Sequence, residues 1–312
     1  MAARFGSVAV VGAGAVGSYF GAMLARAGHR VTLIGRAGHM QAIERDGLRL
    51  EMGGTVELIR LGTSTEMAAV TDADLVLFCV KSTDTDSVTR EMAPHLDPRA
   101  VVMSLQNGVE NAPTLARHLR QVIVPASVYV ATAIPHPGTV RHFGRGDLVI
   151  GALRDRADVA STLEDLRDFF ATASVPVTIS SDVMAELWSK LMVNCAYNAI
   201  SALAQASYGK LAALPEIRAI QRAVVEEVVA LAAAEGVPMQ LEPALRAMER
   251  IAQAMPGQLS STAQDVARRK PSEIDHLNGF VVRRGRELGV ATPVNETLHA
   301  LVKLVERGHG SG

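Results

Sequence analysis

Apolar positions in the first half of the chain fall into short β-branched runs separated by amphipathic stretches. SVAVVG, HRVTLIG, DLVLFCV, AVVMSL and QVIVPASVYV are such runs, and an amphipathic helix over residues 15–27 follows the first. Alternation of this kind predicts a parallel sheet with crossover helices. Two segments depart from it. LRLEMGGTVELIRL sets Gly-Gly between two alternating runs, GTVRHFGRGDLVIG has a similar layout, and each reads as an antiparallel hairpin. Strand signals stop after VPVTIS, and the remainder is helical in period, with segments expected near 183–208, 216–235, 242–252, 273–288 and 294–306. A boundary near Ser180 divides the chain into domains of residues 1–180 and 181–312.

Composition narrows the class of partner. A chain of 312 residues is long enough for two cores. A net charge of -1 supplies no long-range attraction for nucleic acid or an anionic membrane, which leaves a small molecule as the expected ligand. No run is apolar enough to span a bilayer, and VAVVGAGAVG lacks the cleavage site of a secretory leader, so a soluble, cytoplasmic protein is expected. Cys79 and Cys195 lie far apart in apolar runs and read as free, buried thiols. His29, His39, His95 and His276 show no metal-ligand spacing, and no metal is expected.

Chemistry enters with the first glycines. Gly12, Gly14 and Gly17 stand in G-x-G-x-x-G spacing directly after a strand and at the opening of a helix, the context that makes this motif specific for a dinucleotide. One glycine allows the tight turn, the next the approach of a pyrophosphate, and the third the packing of helix on strand. The second strand ends in Gly35-Arg36, with no acid for ribose hydroxyls; Arg36 suits a 2′-phosphate and points to NADP(H). Lys81 and Asn107 follow later strands at the edge where such sheets bind ligands.

The stretch ELWSKLMVNCAYNAISALAQASY carries one charge after its first residue, Lys190, with Asn194 and Asn198 at four-residue steps beyond it. On a helix these three share one narrow stripe, while Leu187, Leu191, Cys195 and Ile200 cover other faces. Such a stripe lines a cleft, where the lysine needs an acidic partner. A lysine snorkelling out of a core helix satisfies the same pattern. Glu273 and Asp275 are the candidate partners, although acids at a helix start are ordinary.

These residues carry a resemblance. The glycine stretch, CVKSTDTD, SLQNGVE, the K-L-x-x-N-C-x-x-N piece and the E-I-D-x-L-N-G piece resemble the ketopantoate reductase (2-dehydropantoate 2-reductase) family over nearly the whole chain. The resemblance implies an α/β N-terminal Rossmann domain that binds NADP(H), and a second, all-α C-terminal domain that carries substrate and catalytic residues. It implies reduction of a 2-oxo acid by NADPH in pantothenate and coenzyme A biosynthesis. By that resemblance Lys190 and Glu273 are catalytic. Asn107, Asn194, Asn198 and Ser261 contact the substrate. Gly12, Gly14, Gly17, Arg36, Lys81, Asn107 and Glu273 contact the cofactor, and Asp275 has no such role. Reduction of a different 2-oxo acid fits the same residues, whereas a non-catalytic NADP(H) sensor would be expected to have lost Lys190 and Glu273. Helices expected at 217–234 and 280–304 have apolar faces that suit a domain core or a homodimer interface equally well.

Overall fold

A computed structural model describes residues 4–153 and 159–308. The chain divides into two compact units, Met1–Glu186 and Leu187–Gly312.

The first unit contains, in chain order, β1 (Ser7–Val11), α1 (Ala15–Arg26), β2 (Arg30–Ile34), α2 (Ala37–Asp46), β3 (Leu48–Met52), β4 (Thr55–Ile59), β5 (Gly62–Ser64), β6 (Leu75–Phe78), α3 (Thr85–Met92), β7 (Val101–Ser104), α4 (Asn111–His118), β8 (Val122–Ala133), β9 (Thr139–Ile150), α5 (Val159–Thr172) and β10 (Val177–Ile179). Six strands run parallel in the order β5-β2-β1-β6-β7-β8. Their side chains alternate between two buried faces, as the pleat demands. Val8, Val10, Leu75, Leu77, Val101 and Met103 join a core with Phe20 and Leu24 of α1 and Leu166 and Phe170 of α5. Ala9, Val11, Val76, Phe78 and Val102 join another with Met92 and Leu115 on the opposite side. Helices on both faces explain why these strands read as unbroken apolar runs.

The hairpin expected at Gly53-Gly54 is present as β3 and β4, with both glycines at positive φ (58° and 80°), as a two-residue turn of this kind requires. The second expected hairpin is not. Thr139–Ile150 is one continuous strand, and it pairs antiparallel with the equally long β8. Its glycines do not make a turn. Gly144, Arg145 and Gly146 lie at positive φ beside two register shifts that skip Gly146 and Phe143, and these shifts read as bulges that the long pairing absorbs.

The second unit is helical: α6 (Val183–Ala204, which begins in the last residues of the first unit), α7 (Tyr208–Ala212), α8 (Pro215–Ala234), α9 (Leu241–Ala254), α10 (Ser261–Ala267), α11 (Asn278–Leu288) and α12 (Pro293–Gly308). The first helix stops short of the expected residue 208 because Gln205 is left-handed (φ 47°) and its amide donates back to the Ala202 carbonyl at 2.8 Å. The helix expected from residue 273 starts at Asn278, after a single 3-10 turn at Ile274–His276. Helices α7 and α10 are too short to display a period in the sequence. Helix α8 packs on α9, α11 and α12 and buries Val224, Val225, Val228 and Leu231, so most of its apolar face belongs to the core of its own unit.

Candidate active site

The three glycines of the first turn have separate physical reasons. Gly12 lies at φ 93°, and a Cβ there would fall 2.5 Å from the Val80 backbone nitrogen. At Gly17 a Cβ would fall 2.5 Å from the Gly12 carbonyl oxygen and 2.9 Å from Val10 Cγ1, so α1 can lie against β1 only without a side chain. Gly14 differs from both. It is exposed, a Cβ on it would meet nothing within 4 Å, and it is the N-cap of α1 with no side-chain hydrogen bond across the helix end. Open space beside unpaired N–H groups suits a pyrophosphate, so these residues fit a dinucleotide. Arg36 is exposed at the end of β2, where it is the N-cap of α2. No carboxylate occupies that strand end.

Lys81 and Asn107 sit on neighbouring loops after β6 and β7, Lys81 exposed and Asn107 partly buried. A buried polar web fastens these loops together. Ser82 Oγ donates to the Asn107 carbonyl at 3.1 Å, and Asn111 Nδ2 donates to the same carbonyl at 2.6 Å and to Ser82 Oγ at 3.1 Å. Thr85 Oγ1 donates to Asn111 Oδ1 at 2.8 Å, while Gln106 Nε2 reaches Thr85 Oγ1 at 2.7 Å and the Val80 carbonyl at 3.0 Å. Sequence reasoning missed Ser82, Thr85, Gln106 and Asn111. Nothing in the sequence set them apart, because Ser82 and Thr85 lie in the polar run KSTDTD and Gln106 beside Asn107.

In the second unit the stripe on α6 grades from half-buried Lys190 and Asn194 to Asn198, which is 2% exposed. The Tyr208 hydroxyl donates to Asn198 Oδ1 at 3.4 Å, and burial pushes that phenol's pKa up. Leu187, Leu191, Cys195 and Ile200 are all buried on the remaining faces. Burial likewise pushes the Cys195 thiol up, while Cys79, expected to be buried, keeps part of its surface exposed. Ser261 is the exposed first residue of α10. That helix is docked at the level of Asn198, because Ser260 Oγ donates to the Asn198 carbonyl at 3.2 Å and caps the Ala263 N–H at 3.0 Å.

Glu273 is half-buried and immediately precedes the 3-10 turn. The rest of E-I-D-x-L-N-G has structural work. Asn278 Nδ2 donates to the Cys195 carbonyl of α6 at 3.2 Å and to Asn295 Oδ1 at 2.9 Å. Asn295 Nδ2 in turn donates to Glu227 at 2.7 Å, and Glu227 also accepts from the Val294 and Asn295 N–H groups that open α12. Trp188 of α6 meets Phe280 of α11 edge to face. Asp275 is taken by His299 at 2.6 Å and Lys303 at 2.7 Å. Burial alone would raise its pKa, but those two hydrogen bonds outweigh burial and hold it below the ordinary carboxylate value. Among the described residues no three His, Cys, Asp or Glu side chains gather as a metal site, and no helix is long and apolar enough to cross a membrane.

Two family descriptions match successive parts of this chain: "Ketopantoate reductase PanE/ApbA" over residues 8–155 and "Ketopantoate reductase PanE/ApbA C terminal" over residues 182–306. The chain belongs to the ketopantoate reductase family. It is 35% identical over 308 residues to the 2-dehydropantoate 2-reductase of Halobacterium salinarum, which covers 96% of this chain and 99% of that protein. The corresponding enzyme of Vibrio cholerae is 32% identical, covering 96% of this chain and 98% of its own. Among solved structures, a PanE/ApbA family ketopantoate reductase from Ralstonia eutropha JMP134 superimposes with a TM-score of 0.89 at 53% identity, covering 97% of this chain and 99% of that one. A D-mandelate dehydrogenase in complex with NADH and anilino(oxo)acetate shares the fold, with a TM-score of 0.91 at 24% identity over 97% of this chain and 99% of its own. The ketopantoate reductase family is one of NADPH-dependent oxidoreductases.

Proposed function

We propose that this chain reduces 2-dehydropantoate (ketopantoate) to (R)-pantoate with NADPH, in the biosynthesis of pantothenate and coenzyme A. The observation that carries the reading is the polar stripe Lys190, Asn194 and Asn198 on an otherwise buried helix, in a chain matched by both family descriptions. Residues 1–180 serve the cofactor and residues 181–312 the substrate, in a soluble, cytoplasmic enzyme whose partner is a small 2-oxo acid.

NADPH, when bound, supplies a hydride to the C2 carbonyl carbon. Gly14 and the N-terminus of α1 would hold its pyrophosphate, with Gly12 and Gly17 shaping the turn and the helix packing that leave room for it; Arg36 would hold its 2′-phosphate, and Lys81 and Asn107 would contact the cofactor from the loops after β6 and β7. Protonated Lys190 stabilises negative charge as it develops on the ketone oxygen and delivers the proton there, so hydride and proton together complete the alcohol. Asn194, Asn198 and Ser261 orient the carboxylate and hydroxyl by neutral hydrogen bonds. Glu273 binds the substrate hydroxyl, contributes to the cofactor site and keeps Lys190 charged.

The test is NADPH oxidation followed by absorbance, with 2-dehydropantoate set against a panel of other 2-oxo acids, for the parent chain and for Lys190→Ala. The parent should prefer 2-dehydropantoate. The variant should lose on the order of 10²–10⁴ in kcat while its Kd for NADPH stays within about twofold. Near-parental turnover in the variant removes Lys190 from the chemistry, and preference for another acid replaces the substrate.

A further inference from the structure

We infer that α12 is the positioning element for Glu273, holding the residues on both sides of it through His299, Lys303 and Glu306. This rests on the reading of Glu273 as a substrate-binding carboxylate. Between α10 and α11 the regular structure is a single 3-10 turn, in which the Glu273 carbonyl accepts from the His276 N–H at 2.9 Å. Side chains of α12 fix the segment on either side of that one bond. Directly before Glu273, buried Ser272 donates both its N–H (2.9 Å) and its hydroxyl (2.6 Å) to Glu306 Oε1. Two residues after Glu273, the Asp275 carboxylate accepts from His299 Nε2 on one oxygen and from Lys303 Nζ on the other. Lys303 Nζ also lies 3.1 Å from Glu306 Oε2, which joins the two clamps into one network.

The three α12 residues follow one another at four- and three-residue steps, and therefore share a face of that helix. Between the clamps, Ile274 is fully buried, and its N–H donates to Ser272 Oγ at 3.3 Å. Gly279 completes the arrangement. A Cβ at that position would fall 2.9 Å from His299 Nε2 and 3.2 Å from the Ile274 carbonyl, so a side chain there would displace the imidazole from Asp275. Asp275, Gly279 and the α12 triad thereby all converge on the backbone that carries Glu273. A displacement of about 1 Å at a substrate-orienting group can reduce rate by on the order of 10²-fold, so such a clamp affects turnover without touching substrate.

The experiment places Glu306→Leu and Lys303→Met each in the parent chain and in a Glu273→Gln background. In the parent background each should lower kcat/KM for 2-dehydropantoate about tenfold and change the Kd for NADPH no more than Glu273→Gln itself does. In the Glu273→Gln background the same changes should alter kcat/KM less than about twofold, because the group they position is already gone. Glu306→Gln, which keeps an acceptor for Ser272, should recover most of the loss. Amide hydrogen exchange should rise at residues 272–277 and not along α6, which separates a loosened clamp from a variant that fails to fold. Equal loss in both backgrounds, or no loss in the parent, overturns the inference while Glu273 keeps its role. A Glu273→Gln variant with parental kcat/KM overturns the role of Glu273 and the inference with it.

Discussion

Substitutions at Gly14 and Gly17 separate binding from architecture within one motif. Alanine at Gly17 would place a methyl group 2.5 Å from a backbone oxygen that no rotamer change can move, and 2.9 Å from Val10 Cγ1. Overpacking of that severity belongs near the upper end of the usual range, about 3 kcal/mol. Alanine's better helix propensity returns at most about 1 kcal/mol, leaving a net loss of about 2 kcal/mol. For a unit of this size the melting temperature should fall by roughly 4–8 °C. Alanine at Gly14 meets nothing within 4 Å, and the backbone there (φ -80°, ψ -163°) already suits an L residue. Its effect on stability should be about 0.5 kcal/mol, the difference between glycine and alanine at an N-cap. The new methyl group does occupy the space assigned to the pyrophosphate. Loss of one hydrogen bond to a charged group is worth about 1.5–3 kcal/mol, which is roughly a 10- to 100-fold rise in the Kd for NADPH. Scanning calorimetry and fluorescence titration on both variants read the two effects separately. A Gly14→Ala protein that binds NADPH like the parent would refute the pyrophosphate assignment, and a Gly17→Ala protein with parental melting would refute the packing argument.

Arg36→Ala should raise the Kd for NADPH roughly 10- to 100-fold and leave the Kd for NADH nearly unchanged; parallel losses for both cofactors would remove Arg36 from the 2′-phosphate. Because the folded-state pKa of Asp275 is lowered, its stabilising contribution is present above the unfolded value of about 4 and is lost as pH falls through the folded value. Asp275→Asn should therefore lose less melting temperature between about pH 5 and pH 3 than the parent does, and an identical loss would contradict the assignment. Cys195, 0% exposed and with its thiol pKa raised by burial, should resist a thiol reagent in the folded protein and react after denaturation, with peptide mass spectrometry as the readout.

Features whose cause is local were legible in the chain. Strand and helix periods reflect which face each segment buries, and the Gly12–Gly14–Gly17 spacing reflects one turn and one helix start. The stripe of Lys190, Asn194 and Asn198 was visible because its four-residue steps fall within a single helix. The second expected hairpin misled because glycine permits both turns and bulges; what decides between them is the partner strand, and β8 pairs with β9 on both sides of these glycines. Helices α7 and α10 escaped because five and seven residues hold too little period.

What tertiary structure alone decided are contacts between polar residues far apart in the chain: Ser260 with Asn198, Asn278 with Cys195, and Asp275 with His299 and Lys303. Nothing in the spacing of Asp275 distinguished an acid available to substrate from one already satisfied by α12. Hydrophobic pattern records how far a segment is buried, but a hydrogen bond depends on which donor the fold brings within about 3 Å, and that choice is made only when the helices pack.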